Sequence, residues 1–233
     1  MKIHRLTSLF LLSVSLLWAA PATPEFLPAG AIDVRALIAP PPDENSLVGQ
    51  GEHEIAIDLD AHRTPEQAAL AKYYEALDVF RMLSPVLGKD ATAENLPITA
   101  AFFKQVRQEA RPVVLVAKEA WNRQRPYIYN PALHPAVEKP NNNSYPSGHS
   151  TDSALFAAIL TALLPDHAAD WQQQAALVRW SRLVGGAHYP SDVMSGKLLG
   201  ETIGREMLKS AKLQHALEGV RAELAAKLLR KAA

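Results

Sequence analysis

The sequence predicts an all-α protein, a single-domain helical bundle built around a central apolar helix. Three observations carry this. A capping-box pattern opens a run of apolar residues at helical spacing. Later segments of the same kind are separated by prolines. No stretch reads as a strand.

Residues 1–22 read as a signal peptide. Lys2 and Arg5 give a positive start, an apolar stretch covers 6–18, and Ala20-Pro21-Ala22 offers small residues for cleavage after Ala22. The stretch falls short of the roughly 20 residues that span a bilayer, which argues against an uncleaved anchor. Residues 23–63 read as an extended, Pro-rich N-terminal segment. They carry Pro24, Pro28 and Pro40-Pro41-Pro42 and show no helical period.

The helical domain is expected over 64–233. Thr64-Pro65-Glu66-Gln67 is a capping box with proline at the first helical position, and the spacing of Leu70, Tyr73, Tyr74, Leu77 and Phe80 continues that helix. A second helix is expected over 99–110, with Pro112 as its punctuation, and a third over 113–122. Residues 126–147, rich in Pro and Asn, read as a loop. The most apolar helix, the buried central one, spans 149–164 and ends at Pro165. Another covers 171–183. The last starts near Pro190 and is broken near residue 212. That makes six or seven helices. Gly196, Gly200 and Gly204 share one face of the last; each costs about 1 kcal/mol against alanine in a helix, so a close helix contact is expected to offset them.

Composition excludes several classes. The formal net charge is +0. Loss of residues 1–22 removes two basic side chains and leaves 22 basic and 24 acidic. Neither balance suits nucleic acid or an anionic membrane. There is no cysteine, so disulfides, thiolate metal sites and cysteine nucleophiles are excluded. No metal-spaced cluster such as HExxH is present, so no metal and no cofactor is expected.

Three segments carry chemistry as a set: Lys118 with Arg125-Pro126; Pro146-Ser147-Gly148-His149; and Ser181-Arg182 with His188 and Asp192. They supply three cations, two imidazoles, one carboxylate and a Ser-Gly turn. A phosphate monoester dianion needs cations on its non-bridging oxygens through the transition state. Arg125 and Arg182 can fork, and Lys118 adds a point charge. Ser147 can donate its hydroxyl, and the Gly148 N–H lies at a helix start, itself an anion site. Of the histidines, one must be neutral to attack phosphorus and the other protonated to serve the leaving oxygen. Asp192 stands four residues from His188 and can fix its tautomer, so His188 fits the nucleophile and His149 the acid. His53, His62, His134, His167 and His215 are isolated along the chain and read as structural or surface residues.

In order and spacing, the three segments match the signature of the type-2 phosphatidic acid phosphatase superfamily. That group includes bacterial class A non-specific acid phosphatases, membrane lipid phosphatases and vanadium haloperoxidases. The Pro40–Pro42 segment and the flanking helices also resemble the class A enzymes. The resemblance implies a periplasmic or secreted, metal-independent acid phosphatase of broad specificity. It implies a phosphohistidine on His188 oriented by Asp192, His149 as acid and then base, and Lys118, Arg125, Ser147, Gly148 and Arg182 as phosphate cradle. The partners implied are small phosphate monoesters, with no stable membrane insertion after leader removal; family members often form homo-oligomers. Two alternatives from the same superfamily are a vanadate-dependent haloperoxidase and a lipid-phosphate phosphatase. A third is a non-catalytic phosphate-binding module, against which the paired histidines argue. One departure from the class A pattern is the small turn Gly185-Gly186-Ala187, which bears on substrate range.

Overall fold

The computed structural model describes residues 26–227, so the expected signal peptide lies outside the described residues. Among the described residues there are helices and no strands: α1 (Val34–Leu37), α2 (Leu47–His62), α3 (Pro65–Tyr73), α4 (Phe80–Leu87), α5 (Pro97–Trp121), α6 (Pro126–Tyr129), α7 (Gly148–Leu163), α8 (Ala168–Val184), α9 (Pro190–Leu208) and α10 (Ala211–Lys227), with a 3₁₀ turn at Pro165–His167. The protein is all-α and forms one domain. No described helix is long and apolar enough to cross a membrane.

The N-terminal segment differs from its expected extended form. Asp33 caps α1 by accepting from the Arg35 and Ala36 N–H groups, and Ser46 caps α2 by accepting from Gly49. The segment packs onto the body of the fold. The N–H groups of Phe26 and Leu27 donate to Glu109 at 2.8 and 3.0 Å, and Tyr145 donates to the Ala39 carbonyl at 2.6 Å.

The capping box at Thr64 is present as expected, but its helix stops at Tyr73 instead of running on through Phe80. Tertiary contacts override the helical spacing here. The carbonyl of Leu77 accepts from Arg107, the carbonyl of Glu75 is paired with His149, and Asp78 restarts the chain by accepting from the Arg81 N–H.

The two helices expected on either side of Pro112 are one helix, α5. Pro112 removes one ladder bond. It lies on the exposed side, so the Gln108 carbonyl that loses its donor sits on that side too. The apolar face of Val106, Ala110, Val114 and Ala117 stays buried straight through it. The start of α5 is capped from α10: the Glu223 carboxylate accepts from the N–H groups of Ile98 and Thr99 at 2.9 and 2.8 Å. Residues 126–147 are mostly loop, with the single turn α6 inside.

Helix α7 is buried over most of its length and packs most closely on α9. The glycines of α9 make that approach possible. A Cβ at Gly196 would lie 2.5 Å from the Ser147 carbonyl oxygen, at Gly204 2.8 Å from the Ala158 methyl, and at Gly200 closer still to the Thr151 carbonyl. Two crossing bonds lock the seam: the Ser147 N–H donates to the Asp192 carbonyl at 2.9 Å, and the Ser150 hydroxyl donates to the Val193 carbonyl.

Candidate active site

The seam between α7 and α9 fixes both ends of the site. Ser147 is the N-cap of α7, so Gly148 and His149 form its first turn. Pro190 opens α9 with its missing N–H at a position that needs none, and Asp192 follows in the first turn, where a carboxylate suits the helix dipole. The last turn of α5 carries Lys118, and the last turn of α8 carries Arg182. The chain thus brings all three signature segments together. Lys118, Arg125, Gly148, His149, Arg182 and His188 line one cavity of about 190 Å³, several times the roughly 30 Å³ of a liquid water.

His188 is buried at the cavity floor. Its Nδ1 is 3.2 Å from Asp192 Oδ2, a carboxylate oxygen that can only accept, so Nδ1 carries the proton and Nε2 keeps its lone pair. Arg125 Nη1 lies 3.2 Å from that Nε2. Burial first, and then the positive charges of Arg125, Lys118 and Arg182, hold the imidazole well below its ordinary range. Both effects favour the neutral imidazole, with its lone pair on Nε2.

Asp192 is fully buried behind the ring and does not reach the cavity. Its Oδ2 also accepts from the Ser144 hydroxyl at 2.5 Å and the Tyr189 N–H at 2.9 Å. Its Oδ1 accepts from Arg123 at 2.9 Å.

His149 lies across the cavity. Its Nε2 is 3.0 Å from the carbonyl oxygen of Glu75, which cannot donate, so Nε2 bears the hydrogen and Nδ1 is the titrating nitrogen. The break between α3 and α4 is what frees that carbonyl. Burial, followed by Arg182, lowers His149 to about 3.

The cations divide. Arg182 is 2 % exposed, and its Nε and Nη1 have no hydrogen-bond partner among the described residues. Burial lowers it to about 10, which leaves it fully charged. Arg125 spends its fork on the protein: Nε donates to the Asn142 carbonyl at 2.8 Å, Nη2 to the Asn142 side chain at 2.6 Å, and Nη1 to the Ala187 carbonyl at 2.8 Å. Lys118 donates to the carbonyls of Asn143, Ser144 and Pro146, which uses all three of its N–H groups, and burial lowers it to about 7. The Ser147 hydroxyl is fully buried and accepts from the Ser150 N–H, as a helix cap. A Cβ at Gly148 would meet only Val114, 4.0 Å away, so this stretch of the cavity wall is open.

The Gly185-Gly186-Ala187 turn does not line the cavity. A Cβ at Gly185 would fall 2.7 Å from the Ser181 carbonyl and 3.3 Å from Val137, and Gly186 has φ +71 against Pro135. Its small residues admit the neighbouring loop rather than widen the site. Sequence reasoning missed Arg123, Ser144, Asp152 and the Glu75 carbonyl. Asp152 lines the cavity one turn beyond His149, paired with Arg107 at 2.8 Å, and burial raises it to about 6. Its position on the helical face of His149 was the available signal. Among the described residues no group of three or more His, Asp or Glu side chains is placed to hold a metal ion.

Both imidazoles are protonated in an unfolded chain below about pH 6.5 and are held neutral in the fold. The folded state therefore binds fewer protons, and stability present above that pH is lost as the pH falls toward His149's folded value. A dianion among the arginines cancels part of the field that depresses His149. Sulfate should therefore raise the melting temperature more in acid than at neutrality. Thermal unfolding with and without sulfate checks this, and a sulfate effect independent of pH would contradict it.

An all-helical domain that turns a buried guanidinium and two imidazoles toward one small cavity defines a class of proteins whose site has the charge and the size to suit a small oxyanion. Within that class the chain belongs to the PAP2 superfamily, whose family model matches residues 98–214. By sequence it falls with proteins named acid phosphatase, which are phosphoric monoester hydrolases. It is 30 % identical over 170 residues to an acid phosphatase of Zymomonas mobilis, covering 70 % of this chain and 64 % of that protein. It is 26 % identical over 214 residues to a non-specific acid phosphatase of Salmonella typhi, covering 88 % of this chain and 86 % of that one. The fold is also that of a bacterial vanadium-dependent iodoperoxidase, with TM-score 0.59 and 18 % identity over 74 % of this chain and 52 % of that one. A transmembrane PAP2-type phosphatidylglycerolphosphate phosphatase of Bacillus subtilis gives TM-score 0.53 and 22 % identity, over 71 % and 87 % of the two chains.

Proposed function

We propose that this protein is an acid phosphatase that hydrolyses small phosphate monoesters through a phosphohistidine on His188, without a metal. One observation carries the reading: Arg182, buried at the cavity wall, keeps two donor nitrogens, Nε and Nη1, without a partner among the described residues. Leaving such donors unmade is costly unless an acceptor arrives. A phosphate oxygen is that acceptor.

The ester's dianion enters against Arg182 and the N-terminus of α7. It draws one Nη1–H of Arg125 away from His188 Nε2 and frees the lone pair. Nε2 attacks phosphorus, and the phosphorus–oxygen ester bond breaks with its electron pair on the leaving oxygen. His149, protonated at Nδ1 once the bound dianion offsets the neighbouring guanidinium charge, gives that oxygen its proton. Water then attacks the phosphohistidine and gives a proton to His149. The phosphorus–nitrogen pair returns to Nε2, and phosphate leaves. Asp192 keeps the proton on Nδ1 throughout and offsets charge on the imidazole. A nucleophile that stays neutral well below pH 6.5 suits turnover in acid.

The export reading, periplasmic or secreted, rests on the leader-like residues 1–22. Hydrolysis of p-nitrophenyl phosphate in acid should continue in millimolar EDTA and stop with millimolar vanadate, which mimics pentavalent phosphorus. Loss in EDTA restored by a divalent ion, or indifference to vanadate, would overturn the reading. Halide oxidation by peroxide with vanadate as the main activity would point to the haloperoxidase alternative.

A further inference from the structure

The family model begins at residue 98, yet α2, far upstream, reaches the catalytic aspartate. The link is Arg123, whose side chain is 1 % exposed. Its Nη1 donates to Asp192 Oδ1 at 2.9 Å and to the Ser191 hydroxyl at 2.7 Å. Its Nη2 donates to Glu52 Oε2 at 2.7 Å, and its Nε to Glu44 Oε1 at 3.3 Å. The face of Tyr189 lies 4.2 Å from the guanidinium centre. Glu52, on the buried side of α2, also accepts from the Ser191 N–H and hydroxyl. Arg123 touches no cavity wall of the active site.

Asp192 has four hydrogen-bond donors, and three of them crowd Oδ2: His188, Ser144 and the Tyr189 N–H. Among the described residues Arg123 alone holds Oδ1. Without it the carboxylate could swing about its last bond, and the shared angle to His188 Nδ1 would be lost.

We propose that Arg123, anchored by Glu52 of α2, is a positioning residue for the catalytic pair: it fixes the Asp192 carboxylate against His188 and offsets part of its charge. The proposal rests on His188 being the nucleophile. Its chemical content is a balance of charge. The groups that face the His188–Asp192 pair are Lys118, Arg123 and Arg125 from α5 and the loop after it, Arg182 from α8, His149 from α7, Glu52 and Glu44 from the N-terminal segment, and the uncharged Ser144, Tyr145 and Tyr189. Loss of Arg123 uncovers the aspartate's negative charge and makes His188 easier to protonate. Loss of Glu52's charge uncovers that of Arg123 and makes His188 harder to protonate.

The test is the acid limb of kcat/KM for p-nitrophenyl phosphate, with melting temperature alongside. Arg123→Ala should lower kcat by about 10–100-fold, the usual loss when an outer partner of a functional ligand is removed, and move the limb to higher pH. Glu52→Gln should move the limb to lower pH, with a smaller loss. Each shift should be about half a pH unit or more, given charges within roughly 10 Å in a partly buried setting. Arg123→Lys should recover the limb's position but only part of kcat, since an ammonium cannot fork between two carboxylates. A purely structural role would change melting temperature and leave the limb in place. Limbs unmoved in both Arg123→Ala and Glu52→Gln, or moved in the same direction, overturn the proposal. If Arg123→Ala does not fold, Glu52→Gln and Arg123→Lys decide it by the same criteria. Should His188→Ala keep turnover, the nucleophile reading fails. If it is inactive and the limbs do not move, the clamp alone fails.

Discussion

His188→Ala is expected to lower kcat by about 10⁴-fold or more, the size of loss seen when a covalent nucleophile is removed. On the proposed mechanism the attacking lone pair is that of Nε2, and no other described side chain offers an imidazole in the cavity beside Asp192. Binding should suffer much less, because Arg182 and the start of α7 remain. The variant should still be protected against heat by sulfate. It should also resist acid better than the parent, because one buried imidazole that must stay neutral has gone. Three measurements check this: turnover of p-nitrophenyl phosphate, the sulfate-induced rise in melting temperature, and that melting temperature in acid. Retained turnover would place the nucleophile elsewhere.

Arg182→Ala is the second large effect. The residue holds unspent donors in a nearly dry position, where a charged hydrogen bond to a phosphate oxygen is strongest. Loss of one such donor at a developing charge costs about 10²–10³-fold in kcat; a forked contact should reach the upper end in kcat/KM. The charge of Arg182 also helps depress both His149 and His188. Its removal should therefore move the acid limb to higher pH. Arg182→Lys restores the charge but not the fork, so it should recover the limb's position more fully than the rate. Near-parental kcat/KM in Arg182→Ala would mean that the phosphate lies elsewhere.

Local chemistry made much of this legible in the sequence. Thr64 with Gln67, Pro165 after α7 and Pro190 at the start of α9 all act through their own turn of chain, so their signals are local. The glycine row at 196, 200 and 204 announced a close helix contact because nothing else offsets its cost. The signature segments came together because their spacing encodes one geometry.

What escaped depends on partners distant in sequence. Helix α2 buries Gly49, Glu52 and Ala56 and exposes Leu47, Val48, Ile55 and Ile57. Its inward face is small and charged, so no apolar period marks it. The break after Tyr73 is set by Arg107 and His149, which claim carbonyls the helix would otherwise use. Lys118 and Arg125 read as ligand cations only as members of the three-segment set. That they also hold the 142–146 backbone depends on a loop whose path carries no local signal.

The glycine-lined contact of α7 with α9 has a mechanical consequence. His149 rides on one member and the Asp192 anchor of His188 on the other, so the proposed acid and nucleophile are held by one closely packed pair of helices. On the proposed mechanism, differently shaped alcohols would meet the other cavity-lining residues, Arg107, Arg111, Leu115, Pro140 and Asn142. Chemistry and selectivity then fall largely on different residues, with Asn142 the exception, because it also holds Arg125 beside His188.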